Sequence, residues 1–310
     1  MNGTRTVALV ATMFMLGTNV CGEDIPPNEI LERVAAAYKD MTTYKAEGTI
    51  SSDISTGGTK MKTETSFRIL LKKPNLYLIS WMQENVTTPS SSQSGAVWSD
   101  GTQPYLYMGM MNAYSKVGRD ELALGGATGI SGGAAFTIPS LFLPVFMGVP
   151  APFSRLKAPQ IEMTQKVGEE DCYVISGPSS VSKKEAFWVS KTDYVIKKYY
   201  RSLEIPEGGT LIPEMTDEQL EEAINAMGEE VTEESKKNMS EMMESSRTML
   251  KTMKMKGSSV ELHTNVSSPQ LDKRDFTFAL PEGTILKDSL FAGMFGGNKG
   301  IPNTCTNHDE

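Results

Sequence analysis

Two histidines among 310 residues leave little room for the commonest side-chain chemistry. His263 stands in the strand-like run Glu261-Leu262-His263-Thr264-Asn265, and His308 lies near the C-terminus. No His cluster therefore offers itself to a metal, and no Ser, His and Asp set presents itself for nucleophilic attack. The glycine-rich run Gly125 to Gly133 lacks the Lys-Ser/Thr ending with which a phosphate loop holds a nucleotide. The pairs Glu169-Glu170 and Glu229-Glu230 fall in turns and read as solvated charge, whereas paired-carboxylate catalysis needs two acids facing across a cleft. A copper role for the methionines between Met239 and Met253 would call for His or Cys nearby. These residues predict no enzyme, no metal and no cofactor.

The chemistry that remains is apolar contact. Phe67, Ile69, Tyr77, Ile79 and Trp81 share strand faces, and Trp98, Tyr107 and Trp188 add large rings on neighbouring strands. Leu141, Phe142, Val145 and Phe146 stand at helical spacing between prolines. Together these twelve are the candidate lining of a hydrophobic ligand cavity, although every one is also what an ordinary sheet core requires. Leu76, Leu78 and Met82 make the strand of Tyr77 apolar on its other face too, so both faces must be covered by a helix, a second sheet or a ligand.

The elements that position these residues follow from period and punctuation. Ile30, Val34, Tyr38 and Met41 mark one face of a first helix, with Asn28 as its cap. Strands are predicted at 44–52, 63–71 and 76–82, then at 95–99, 105–110 and 113–117, and later at 160–167, 172–177, 185–190 and 194–203. Lys191-Thr192-Asp193 makes a tight hairpin turn, and segments at 260–266 and 276–280 close the sheet. Gly125 to Gly133 is expected to be a flexible hinge or spacer, and the Pro-rich stretch from Ala134 to Phe153, which carries no charge, either a mobile lid or an ordinary helix packed in place. From Thr216 to Lys256 the period is helical again. Thr216 and Gln219 form a capping box, and a second helix from Thr232 carries Met239, Met242, Met243, Ser246, Leu250 and Met253 on one stripe. That stripe is either core or an adaptable surface for a guest or a protein partner.

The start of the chain bears on compartment. Arg5 followed by Val7 to Leu16 and a small-residue exit at Val20-Cys21-Gly22 reads as a secretory signal over residues 1–22, cleaved after Gly22. Lipidation at Cys21 is the competing reading, but Val20 and Thr18 stand where a lipobox wants a small residue and Leu. No later stretch is long and unbroken enough to span a bilayer, since Pro139, Pro144, Pro150 and Pro152 interrupt the most apolar one. The net charge of −8 argues against nucleic acid as a partner. After cleavage Cys172 and Cys305 remain; the two could pair, or Cys172 is a small buried residue on a strand.

Several of these runs carry a resemblance. An amphipathic helix ending near Tyr38, Lys73-Pro74-Asn75-Leu76-Tyr77, Val97-Trp98-Ser99-Asp100-Gly101 and Tyr105-Leu106-Tyr107 resemble the periplasmic lipoprotein-carrier, or LolA-like, superfamily. Asp171 to Ile175, Phe187 to Lys198 and Phe276 to Gly283 are similar to its late strands and closing segment. The resemblance covers about residues 25 to 290. It implies an α+β, mostly antiparallel protein: a strongly curved, open, incomplete β-barrel whose concave face and mouth are covered by helices. It further implies a carrier or chaperone of a lipid or acylated lipoprotein in the periplasm, or an envelope sensor that contacts a protein partner. The chain then divides into signal 1–22, one domain 23–290 with a Met-rich helical insertion at 214–256, and a loose tail 291–310. The insertion is longer than a simple carrier needs.

Overall fold

The computed structural model describes residues 25–87, 92–146, 151–180, 182–205, 214–226, 230–252 and 255–290. The expected signal segment with Cys21, and the expected tail with Cys305 and His308, lie outside the described residues, as do Met227, Glu229 and Met253.

The first helix, α1 (Pro27–Asp40), begins at a proline pair rather than at the expected Asn28 cap. Pro27 fills the first helical position, where an N–H would be unpaired in any case and φ is already set, so no side-chain cap is used. The predicted stripe holds: Ile30, Val34 and Tyr38 are fully buried. At the far end Lys73 donates its ammonium to the carbonyls of Tyr38 and Lys39, neutralising the negative end of the helix.

Among the described residues twelve strands form one open sheet. They are β1 (Thr43–Thr56), β2 (Thr59–Lys72), β3 (Leu76–Asn85), β4 (Ser92–Asp100), β5 (Pro104–Met108), β6 (Ala113–Lys116), β7 (Gln160–Val167), β8 (Glu170–Gly177), β9 (Glu185–Ser190), β10 (Ile196–Ile205), β11 (Met255–Ser267) and β12 (Ile285–Lys287). The order is β12-β6-β5-β4-β3-β2-β1-β11-β10-β9-β8-β7, antiparallel throughout except where β12 joins β6 in parallel. The protein is thus α+β with a mostly antiparallel sheet that does not close, as expected.

Alternation assigns the faces. Tyr44, Ala46, Ile69, Leu71, Tyr77, Ile79 and Val97 point inward and meet α1 and the segment that follows β6. Leu70, Leu78, Ala96, Trp98 and Tyr107 point outward and are covered by Leu271, Phe276, Phe278 and Leu280 of the closing stretch. The doubly apolar third strand is explained: helices cover one face and the C-terminal segment the other, with no ligand required.

Gly125 to Gly133 is not a loop. Helix α2 (Asp120–Ile130) runs through Gly125, Gly126 and Gly129, because Ala123, Leu124 and Ala127 bury one side of it completely. Asp120 in its first turn accepts hydrogen bonds from the Tyr77 hydroxyl at 2.8 Å and from Asn75. That anchoring and burial outweigh the glycine entropy cost, about 1 kcal/mol per residue. Only Gly132 and Gly133, at φ +68° and +114°, make the turn out of the helix.

The expected helical lid is likewise two short turns, α3 (Pro139–Phe142) and a 3-10 turn over Pro144–Phe146, divided at Pro144. A further 3-10 turn spans Pro152–Arg155. The insertion forms α4 (Asp217–Ala226) and α5 (Glu233–Thr252). Its capping box is present: Gln219 N–H donates to the Thr216 hydroxyl at 3.3 Å and Thr216 N–H to the Gln219 side-chain Oε1 at 3.0 Å. Leu220 and Ile224 are buried, whereas no described side chain of α5 is, so its methionine stripe is only half-covered. No helix of the described residues is long and apolar enough to cross a membrane.

Candidate functional site

The inner face changes character along its strands. Toward α1 the residues are large and apolar, and Phe142 and Phe146 from the covering segment pack onto them together with Ile30, Val34 and Tyr38. Tyr44 lies 6.1 Å from Tyr38 and 6.3 Å from Phe142, ring to ring, so this half is filled by side chains. Burial raises the hydroxyls of Tyr38, Tyr44 and Tyr77 far above the usual phenol range, and all three stay protonated.

Two glycines mark the boundary of the filled half. Gly48 sits opposite Phe67, which sits opposite Trp81, which sits opposite Gly95. Each ring lies across the neighbouring glycine, in space that a Cβ at Gly48 or Gly95 would occupy. Removing two side chains from this row allows two aromatic rings to lie down along the sheet.

Beyond that row the inner face turns polar: Ser52 on β1, Thr63 on β2, Gln83 on β3 and Gln93 on β4. Here the cover stands off the sheet and leaves a cavity of about 660 Å³. Apolar wall is supplied by Ile54, Met61, Phe136, Pro152 and Leu203, and the roof by Gly132, Gly133 and Thr137. Tyr199, Arg201 and Glu261 come from β10 and β11, and Arg155 from the turn below.

A buried polar chain supports the roof. The Thr137 hydroxyl donates to Glu261 Oε2 at 2.6 Å, and Glu261 Oε1 lies 2.9 Å from His263 Nε2, a contact close in distance but off the hydrogen-bond direction. The other ring nitrogen, Nδ1, lies 3.4 Å from the Tyr44 hydroxyl. Glu261 and His263 are each 3 % exposed, so this contact is removed from water and owes its place to the groups around it. Among the described residues no three His, Cys, Asp or Glu side chains converge as metal ligands.

Tyr199 stacks on Phe187 at 4.7 Å, and burial raises its hydroxyl well above the usual range. Glu185 and Glu261 push it in the same direction, and Arg201 and Arg155 oppose them. Glu185 is fully buried; one oxygen accepts from the Ser179 hydroxyl at 2.7 Å and the other has no partner.

The twelve predicted lining residues do not form one surface. Phe67, Ile69, Tyr77, Ile79, Trp81, Phe142 and Phe146 are buried together on the inner face, with Leu141 and Val145 half-buried beside them. Trp98 and Tyr107 are on the outer face, against Phe278 at 5.5 Å each. Trp188 also points outward, alternating with Phe187 and Val189, where it carries Lys198 over its ring at 4.3 Å and donates to Gln165. Size and aromaticity single these residues out, but strand parity separates them into two faces. The polar members of the cavity are absent from that sequence-based set. Glu261 and His263, two apart on one strand, are a legible same-face pair; Arg155, Arg201 and Thr137 give no local signal. Glu170 is likewise more than solvated charge, since it pairs at 2.9 Å with Lys197, whose side chain is 7 % exposed.

No family model matches the chain, and no curated protein does. Solved structures do. The chain resembles mycobacterial lipoprotein LppX from Mycobacterium tuberculosis at 11% identity, over 79% of this chain and 97% of that one, with a TM-score of 0.37. An uncharacterized conserved protein from Thermus thermophilus matches at 9% identity over 84% and 97%, also with a TM-score of 0.37. A LolA superfamily protein from Nitrosomonas europaea matches at 12% identity over 82% and 98%, with a TM-score of 0.27. At these identities and TM-scores the likenesses carry nothing about what is bound.

Proposed function

We propose that the chain holds a hydrophobic guest, a lipid or the acyl group of a lipoprotein, by one alkyl chain in the cavity between the polar half of the inner sheet and its cover. The observation that carries this reading is the space itself. Elsewhere the inner face is packed by its own side chains, and at this end about 660 Å³ is left. That falls in the range of about 300–1,000 Å³ found for small-molecule sites. Ile54, Met61, Phe136 and Leu203 offer a chain the apolar contact it seeks, worth about 0.8 kcal/mol per buried methylene. The protein acts as a carrier or chaperone, not an enzyme, and the apolar run at residues 7–16 supports work in the periplasm or outside the cell.

Solvent extraction of purified protein, followed by mass spectrometry, tests the reading. Acyl-chain lipid should be released in near-stoichiometric amount, and the substitution Ser52→Phe, which fills the cavity from its floor, should abolish it. A wild-type protein that neither releases lipid nor takes up added fatty acid would sink the idea.

A second reading concerns α5. Met239, Met242 and Met243 are only half-covered, although they form the apolar stripe of a helix. The helical pair is inserted after β10, the strand that carries Leu203 at the cavity, so it is suited to receive the polypeptide part of an acylated guest. Deleting residues 214–254 should then weaken binding of an acylated polypeptide and leave that of a free fatty acid unaffected.

A further inference from the structure

We infer that the cavity selects amphiphiles with an anionic head, a carboxylate or phosphate monoester, which Arg155 and Arg201 receive at its rim. The inference rests on the cavity reading above and adds the class of head group to it.

The two arginines lack the partners that an acidic protein of net charge −8 could readily supply. Among the described residues neither forms an ion pair or a side-chain hydrogen bond. Arg155 instead lays its guanidinium 5.9 Å from the Phe136 ring centre, with its Nε buried and unpaired. Arg201 stands exposed on β10, directly opposite Glu185 in the strand register, yet makes no ion pair with it. Glu185 is directed instead to Ser179.

Glu261 is the acid that lines this cavity, and it is already engaged by Thr137 and His263. The rim therefore presents two unmatched positive charges beside one buried carboxyl group whose Oε2 already accepts from Thr137. A guanidinium offers a planar fork that fits the paired oxygens of a carboxylate or phosphate, and such charge-assisted bonds are about twice as strong as neutral ones. The apolar groups that face the same space, Ile54, Met61 and Leu203, would hold the chain attached to that head.

The test compares three ligands of equal chain length by calorimetry on the full chain: dodecanoate, dodecyl phosphate and dodecanol. Wild type should bind at least one of the two anions about ten-fold or more tightly than the alcohol, the factor that corresponds to one charge-assisted bond. Whichever anion binds better identifies the preferred head. In the double variant Arg155→Gln/Arg201→Gln the preference should vanish while dodecanol affinity stays as it was, and Arg201→Lys should retain part of it.

Equal affinity for alcohol and anions in the wild type would overturn the head-group inference and leave chain binding standing. So would a variant that weakens all three ligands alike, since that marks a structural role for the arginines. Failure of all three to bind would overturn the cavity reading itself.

Discussion

The hydroxyl of Thr137 donates to Glu261 Oε2 at 2.6 Å, and this bond joins the segment that roofs the cavity to the strand that floors it. Thr137 lies in the turn between α2 and α3, and Glu261 is on β11, so the contact spans 124 residues. It fixes the height of the cover above the polar half of the sheet.

Removing the hydroxyl tests that role. Thr137→Val keeps the shape but leaves a buried carboxylate oxygen without its donor, at a cost of about 1–3 kcal/mol. Thr137→Ser should retain most of the stability. Urea unfolding measures both, and equal effects of the two substitutions would show that the hydroxyl is not what matters.

The glycines divide into two classes with opposite predicted signs. Gly48→Ala would drive its Cβ into Phe67 and into the Leu262 carbonyl, and Gly95→Ala into Trp81, so each should destabilise by about 1–3 kcal/mol. Gly48 should be the worse, because backbone cannot rotate aside as a ring can. Gly125→Ala and Gly129→Ala meet nothing within 4 Å and lie inside α2, so each should stabilise by about 0.5–1 kcal/mol. A destabilised Gly125→Ala would restore the hinge reading of that run. Thermal unfolding of the four variants decides the matter.

Cys172 provides a pH signature. Its thiol is fully buried on β8, and burial first, then the charge of Glu170, push it up to about 11. The ordinary thiol value in the unfolded chain is about 8.5. A folded value above the unfolded one means that the folded state keeps the proton longer. The contribution is therefore complete below about 8.5 and is lost as pH rises toward 11. Urea midpoints of wild type and Cys172→Ala, compared at neutral pH and near pH 10, should converge or cross in favour of the variant as pH rises. A difference independent of pH would refute the assignment.

Much of the architecture was legible because alternation and turn chemistry are local. The strand of Tyr77, the face of Ile30, Val34 and Tyr38, and the Thr216/Gln219 box all express rules that operate within a few residues. What failed depended on distant contact. Helix α2 forms across its glycines because Ala123, Leu124 and Ala127 find a sheet to pack on, and no window of sequence contains that sheet. The division of the candidate lining between two faces has the same origin. Trp98 and Phe67 look alike in sequence, and only the pairing register tells which face each one takes. The arginines of the rim were invisible for a further reason: an unpaired charge is defined by partners that are absent from its surroundings.

The position of β1 at the centre of the sheet has a consequence for synthesis. Its neighbours are β2, which follows at once, and β11, whose Thr264 meets Glu47 across 217 residues of chain. While the ribosome is still making the middle of the protein, β1 has a bare edge and the polar half of the inner face has no far wall. Glu261, His263 and Ser259 all arrive on that late strand. Completion of the sheet and creation of the cavity are thus a single event, one that waits until the chain has nearly finished being made.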